Sequence, residues 1–190
     1  ASNDADSNSS LVLPLGEFTP EAPWQFSVYK PGKTAKPWEV SLKRFREGEH
    51  IDSIALRQFK PSGEPKAAIK PATVISHLFQ ALTFGKSVNL QNIFRQSDFP
   101  APSENEWEQL ENAASVTKQD PIGTKDFNSK EALGVVLGKE IIEKPSVDRT
   151  GGETAMMQHW YSLIRTWLAL KRARVPVDFG PAKKKACTHT

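Results

Sequence analysis

Five side chains that could form hydrogen bonds with a nucleic acid lie close together in this sequence. They combine one amine, two hydroxyls, one imidazole and one amide, and they are Lys70, Thr73, Ser76, His77 and Gln80. Hydroxyl and amide groups donate and accept, so they can contact base edges, whereas a lysine can neutralise a phosphate. Spacings of three and four residues place side chains on one side of an α-helix. The pattern therefore predicts a helix that presents polar groups to a groove.

Three basic residues form a second set of candidates, in an amphipathic segment upstream. Lys43, Arg44 and Arg46 are expected to contact the phosphate backbone. His77 has a competing interpretation. A histidine beside an apolar stripe is more often a packing or capping residue than a reader of bases, so both roles stay open for it.

Patterns that would indicate catalysis or metal binding are incomplete. The Gly85-Lys86-Ser87 tripeptide resembles the end of a phosphate-binding loop, but Gln80 occupies the position where that motif needs a glycine. Asp178-Phe179-Gly180 lacks the glycine-rich and catalytic loops of a kinase. The single cysteine, Cys187, excludes a disulfide framework. The spacing of the four histidines does not fit a zinc site; they are His50, His77, His159 and His189. We predict no catalytic residues, metal or cofactor.

Composition and charge narrow the class of protein. The chain has 190 residues, of which 38% are hydrophobic, and no run of about 18 apolar residues that could span a membrane. We therefore expect no membrane partner. Lysine and arginine outnumber aspartate and glutamate by 10 to 5 over residues 36–95 and by 7 to 2 over 151–190, but are outnumbered 6 to 11 over 96–150. Two basic segments are typical of phosphate binding, although mixed surface charge also serves solubility.

The elements that must position these residues begin with residues 1–35. A Ser/Asn/Asp-rich tract predicts a mobile tail, and the dense prolines that follow predict an extended arm with a short strand near residues 25–29. Three aromatic residues of this arm, Trp24, Phe26 and Tyr29, could pack on the globular part or bind a protein partner.

Residues 36–98 are predicted to form a helix-turn-helix domain. Its three helices are expected at about residues 37–47, 51–59 and 71–84, and a short fourth helix ends near residue 98. The predicted turn over residues 60–70 is longer than is usual in this motif. The expected fold class is all-α.

Residues 99–176 are predicted to form a second small helical subdomain. Ser103 and Glu106 form a capping box, and Asn128 or Ser129 caps a later helix. The acidic helix over residues 104–111 is expected to face solvent or a basic protein partner. A last helix runs from about residue 153 to 174, and residues 177–190 form a basic tail whose lysines, Lys183–Lys185, could contact nucleic acid.

Parts of the sequence resemble a known family. The phrases HIDSIALRQF and IKPATVISHLFQALTFGKSVNLQNI resemble the C-terminal helix-turn-helix domain of RecQ-type DNA helicases, including the Werner group. The later segments ENEWEQLENAASV, KEALG and YSLIRTWLAL also resemble the downstream helices of that family, so the similarity spans about residues 36–175. The matched residues are Ile51, Ile54, Ala55, Arg57, Thr73, Val74, His77, Leu78, Ala81, Gly85, Val88 and Leu90. This resemblance implies a helical accessory module for DNA or protein docking, without catalysis of its own.

Two functions follow as expectations. The first is a nucleic-acid-binding helix-turn-helix module, with DNA as its partner, in a nuclear, helicase-like protein. The second is a helical scaffold or docking subunit of a larger assembly, held by the aromatic arm, the acidic helix or the Trp160/Trp167 helix. Either would act inside the cell.

Overall fold

The computed structural model describes residues 9–60 and 62–180, and regular structure in them is mainly helical. This confirms the prediction of a mainly helical fold. Residues 1–8 of the tract predicted to be mobile, and the lysines at 183–185, lie outside the described residues. The helices are α1 Pro37–Arg46, α2 Ile51–Leu56, α3 Pro71–Thr83, α4 Leu90–Gln96, α5 Glu104–Val116, α6 Ser129–Leu137, α7 Lys139–Glu143 and α8 Gly151–Arg172.

Two small antiparallel sheets accompany the helices. Strand β1 (Ser10–Val12) pairs with β4 (Asp178–Gly180), and β2 (Gln58–Phe59) pairs with β3 (Pro65–Lys66). The second helix therefore ends before Phe59, because its last predicted residues bond to β3. Within the predicted turn over residues 60–70, Pro65–Lys66 form the second strand of this pair. The start of the predicted basic tail is likewise a strand.

The strand predicted near residues 25–29 is absent. Instead, the backbone N–H of Ser27 donates to the Trp24 carbonyl at 2.7 Å, which closes a tight turn. The Trp24 N–H donates to the Thr83 carbonyl at the end of α3, at 2.8 Å. The arm is therefore attached through its turn rather than through a sheet.

Helix starts follow their local signals. Pro37 and Pro71 occupy the first turns of α1 and α3, where a missing N–H costs nothing. Ser103 accepts from the Glu106 N–H, and Glu106 bonds back to the Ser103 N–H at 2.8 Å, which confirms the predicted capping box. Of the two residues predicted to cap α6, Asn128 is the cap.

The hydrophobic core consists of two clusters, and α8 belongs to both. The first cluster joins α1 to α4, and Leu170 near the end of α8 completes it. The second joins α5, α6 and α7 to the middle of α8, where Trp167 is fully buried. Helix α8 therefore links the two halves of the chain.

Helix α3 is surrounded by other helices. It packs on α1, α2 and α8, and six of its side chains are buried: Val74, Ile75, Leu78, Phe79, Ala81 and Leu82. These side chains share one side of the helix, and Thr73, Ser76 and Gln80 form an exposed polar strip on the other side.

Candidate nucleic-acid interface

The exposed strip of α3 contains most of the polar residues that the sequence singled out. Thr73, Ser76 and Gln80 are exposed, and Lys70 is exposed just before the helix begins. The Ser76 hydroxyl donates to the Ala72 carbonyl at 2.9 Å, so its oxygen is the group left to accept. The Gln80 amide has no hydrogen-bond partner among the described residues. The strip therefore offers an amide, hydroxyl groups and one amine to a ligand.

His77 lies at the edge of this strip and forms a hydrogen bond with a residue of α1. Its Nδ1 is 2.9 Å from the Ser41 hydroxyl oxygen, and its ring is half-buried. Burial lowers the pKa of His77, because a charged imidazole would lose hydration there. The lowered pKa favours the neutral ring. Of the two roles left open for His77, this geometry favours packing.

Arg44 lies inside a local hydrogen-bond network. Its Nε and Nη2 donate to the two carboxylate oxygens of Glu49, each at 2.6 Å. Its remaining hydrogens point to the backbone carbonyls of Ser53, Ile54 and Arg57, at 3.4, 3.3 and 2.5 Å. Only 15% of the side chain is exposed. Arg44 therefore joins α1 to α2, and a phosphate would have to displace these acceptors.

The Arg44 guanidinium holds the pKa of Glu49 below its usual range, chiefly through these hydrogen bonds. Arg57 adds a second ion pair to Glu49, at 2.7 Å. Glu49 is thus a carboxylate throughout the neutral range. This cluster is a structural feature that the sequence did not reveal.

Lys43 and Arg46 face a different part of the surface. Arg46 donates to the Ser87 carbonyl at 2.7 Å, whereas the Lys43 side chain is 76% exposed and 3.9 Å from Glu47. Both line a shallow depression of about 430 Å³ that also contains Lys86. Two glutamates, Glu39 and Glu47, line the same depression. Its charge is therefore mixed, and it shares no lining residue with the groove described next.

Ser76 and Gln80 border a groove between α3, the arm and α8, which we call the arm groove. Its volume is about 460 Å³. Within the described part of the chain, its lining includes two arginines and no carboxylate. The lining residues are Trp24, Phe26, Ser27, Val28, Ser76, Phe79, Gln80, Thr83, Phe84, Arg165, Leu168, Ala169 and Arg172. Thr73 and Lys70 lie outside it, towards the start of α3.

Trp24 fixes the arm beside this groove. Its indole Nε1 donates to the Ile122 carbonyl at 2.7 Å, and the Arg172 guanidinium lies 3.9 Å from its ring centre. Arg172 also donates to the Pro121 carbonyl at 3.2 Å. These contacts fix the positions of both the Trp24 and the Arg172 side chains.

The other two aromatic residues of the arm differ in exposure. Tyr29 packs on Trp38 and Phe84, with ring centres 5.3 and 5.7 Å apart, so it belongs to the packing of the fold. Phe26 is 37% exposed beside the groove, and Val28 next to it is 70% exposed. Of the three aromatic residues considered for partner binding, Phe26 keeps the most accessible ring.

Two glutamates of the acidic helix α5 are engaged with α8. Glu106 is 2.7 Å from His159 Nε2, and Glu111 accepts from the Trp167 indole at 3.0 Å. Lys171 is a second partner of Glu111, at 2.8 Å. These carboxylates therefore hold α5 against α8, and α5 offers a smaller acidic surface than its composition suggested.

Sequence reasoning missed Arg165 and Thr83. Arg165 is exposed on α8, without a hydrogen bond or ion pair to any other described residue. Its spacing to Leu168 and Arg172, three and seven residues, would have placed all three on one face of α8. That they oppose α3 depends on tertiary packing, which the spacing does not reveal.

The described residues contain no group of three or more His, Cys, Asp or Glu side chains that could hold a metal ion. Within residues 9–60 and 62–180, no helix is long and apolar enough to cross a membrane.

Comparisons with protein-family models, curated proteins and solved structures found no match for this chain. The resemblance to the RecQ/Werner-type helix-turn-helix domain therefore stays a prediction. Function has to be inferred from the residues of the chain itself.

Proposed function

We propose that this chain is a non-catalytic nucleic-acid-binding module, an accessory domain of a helicase-like, DNA-processing protein of the nucleus. In this proposal α1, α2 and α3 form a helix-turn-helix unit, and α3 contacts the nucleic acid. The observation that carries the proposal is the polar strip of α3: Thr73, Ser76 and Gln80 are all exposed on one face of a helix whose other faces are buried.

The chemistry of this strip suits a nucleic acid. Amide and hydroxyl groups can pair with base edges, which carry donors and acceptors. Such groups gain little from an apolar protein surface, because burying them without partners costs free energy. The exposed Lys70 at the start of α3 supplies a positive charge for a phosphate.

The basic residues differ in exposure and in the partners they already have. Lys70 and Arg165 are exposed and have no ion-pair partner among the described residues, so the proposal gives them the phosphate contacts. Lys43 remains a candidate on a separate surface. Arg44 is left out, since its hydrogens are already directed at Glu49 and at carbonyls.

Fluorescence anisotropy tests the proposal with a labelled DNA that carries both a duplex and a single-stranded end. Affinity should fall steeply between about 50 and 200 mM salt, because phosphate contacts release counterions. Lys70→Gln should weaken binding and make the slope of log K against log salt shallower by about one. The matched control is Lys130→Gln, which removes one exposed charge from α6.

Two results would contradict the proposal. One is the absence of binding at the lower salt concentration. The other is binding that Lys70→Gln and Lys130→Gln weaken equally, since this would indicate attraction by net charge rather than by α3. The scaffold interpretation would then be the stronger one.

A further inference from the structure

Part of the polar strip of α3 borders a groove instead of standing alone on the surface. The arm lies on one side of it, and Arg165 and Leu168 of α8 line the groove together with Ser76 and Gln80. A helix that reads duplex DNA has to enter a major groove about 12 Å wide, and it must stand clear of its neighbours to do so. The arrangement around α3 is therefore better suited to a thin, flexible ligand than to a duplex.

We infer that the arm groove binds single-stranded nucleic acid, with a base stacked on Phe26 and a phosphate on Arg165. This inference rests on the proposed function and adds the class of nucleic acid and the place where it binds. It also gives roles to two residues that were not among the predicted contacts in α1 and α3.

Charge indicates an anionic ligand. Arg165 is exposed, Arg172 lies in the same groove, and no carboxylate lines it within the described residues. The depression beside Lys43 contains two glutamates in its lining, so it repels phosphates as well as attracting them. The arm groove is therefore the better place for a phosphate backbone.

Phe26 provides a surface for stacking. Its ring meets the Trp24 ring edge-to-face, with centres 5.3 Å apart, and it remains 37% exposed. Single-strand binding sites combine such rings with a basic groove, because every base has a flat face that can stack. Trp24 cannot take this role on the side where Arg172 already covers its ring.

The remaining lining can satisfy an unpaired base. The Gln80 amide has a donor and an acceptor, and the Ser76 oxygen can accept. A base in a duplex would have its Watson–Crick edge occupied, whereas a single-stranded base can present that edge. The groove volume of about 460 Å³ lies within the range of small-molecule sites.

Competition experiments on the full chain test this inference. The probe is a labelled oligodeoxythymidine of about 15 nucleotides, a length within the site sizes of single-strand binders. The competitors are the unlabelled strand, a duplex of equal length and a polyglutamate peptide. We expect the single strand to compete at least about tenfold better than the duplex.

Paired variants separate stacking from packing. Phe26→Leu keeps an apolar side chain but removes the ring, and should weaken binding of the single strand roughly tenfold, whereas Phe26→Tyr should bind nearly as well as the wild type. Arg165→Gln should weaken binding and lower the salt slope, and Lys130→Gln should not. Thermal unfolding of each variant shows whether it is folded.

The outcomes distinguish the two proposals. Preference for the duplex, or single-strand binding that Phe26→Leu and Arg165→Gln leave unchanged, overturns the inference but leaves nucleic-acid binding intact. Binding of neither nucleic acid overturns both. Displacement of the probe by polyglutamate at comparable charge concentration would show that the groove accepts an acidic peptide, and this too overturns the inference.

Discussion

Replacing Arg44 by methionine should lower the free energy of unfolding by about 2–3 kcal/mol. The side chain makes two charge-assisted bonds to Glu49 and three bonds to backbone carbonyls, and only 15% of it is exposed. A hydrogen bond to a charged group contributes about 1.5–3 kcal/mol, and breaking a fully buried ion pair costs about 3–5 kcal/mol. We expect a cost below the range for a fully buried ion pair, because Glu49 keeps Arg57 as a partner.

Chemical denaturation at several pH values measures this effect. Hydrogen bonds from Arg44 lower the pKa of Glu49, so their contribution is present above the ordinary carboxyl pKa and is lost as pH falls through the lowered value. The difference between Arg44→Met and the wild type should therefore be largest near neutral pH and shrink in acid. At neutral pH the melting temperature should fall by roughly 5–10 °C.

Lys43→Met provides the matched control on the same helix. Lys43 is 76% exposed and 3.9 Å from Glu47, so its loss should change the free energy of unfolding by less than about 0.5 kcal/mol. The reasoning would be refuted if Arg44→Met were as stable as the control but bound nucleic acid much more weakly. Arg44 would then be a phosphate contact rather than a link between α1 and α2.

Two further substitutions test local features. Gly85→Ala should lower the free energy of unfolding by about 1–3 kcal/mol, because Gly85 has a φ of +75° and an added Cβ would lie 3.1 Å from Pro23. Gly63→Ala is its control in denaturation experiments, because Gly63 has a φ of +86° but an added Cβ would meet no atom within 4 Å. If both substitutions cost the same free energy, the contact with Pro23 would not contribute. For His77 the lowered pKa means that its contribution to stability is present above the unfolded-state pKa and is lost as pH falls through the lowered folded-state pKa. His77→Gln should therefore lose less stability than the wild type between about pH 7 and 5, and an NMR titration of His77 with an unshifted or raised pKa would contradict this.

Much of the helical structure could be predicted because its signals are local. Two helices begin at a proline, Pro37 and Pro71, and two are capped by a side chain, that of Ser103 or Asn128. The spacing of apolar residues indicated where each helix continues. Helix α7 had no such signal, since it has five residues and follows Gly138 directly.

The strands were missed because their partners are distant or unexpected. Gln58 continues an apparent helix, but its strand pairs with β3 across a short loop. Strands β1 and β4 have three residues each and lie at opposite ends of the chain. Neither has an alternating pattern long enough to identify a strand.

For the candidate interface, local periodicity predicted which polar residues of α3 share one face. It could not predict that Arg44 is enclosed, because its acceptors come from α2 and from the residues before and after that helix. Nor could it place Arg165 in the same groove as Gln80, since that depends on how α8 packs across α3. Side-chain identity was readable from the sequence, whereas accessibility depended on the tertiary structure.

The pairing of β1 with β4 affects the order in which the chain folds. Leu11 and Phe179 face each other across this pair although about 168 residues separate them. Bringing such distant segments together in a loose chain costs considerable loop-closure entropy, and three residues per strand offer few bonds in return. Once α8 has packed on both cores, the two segments are already held near each other and most of that cost has been met. We therefore expect this sheet to close late in folding and to open first when the native protein fluctuates.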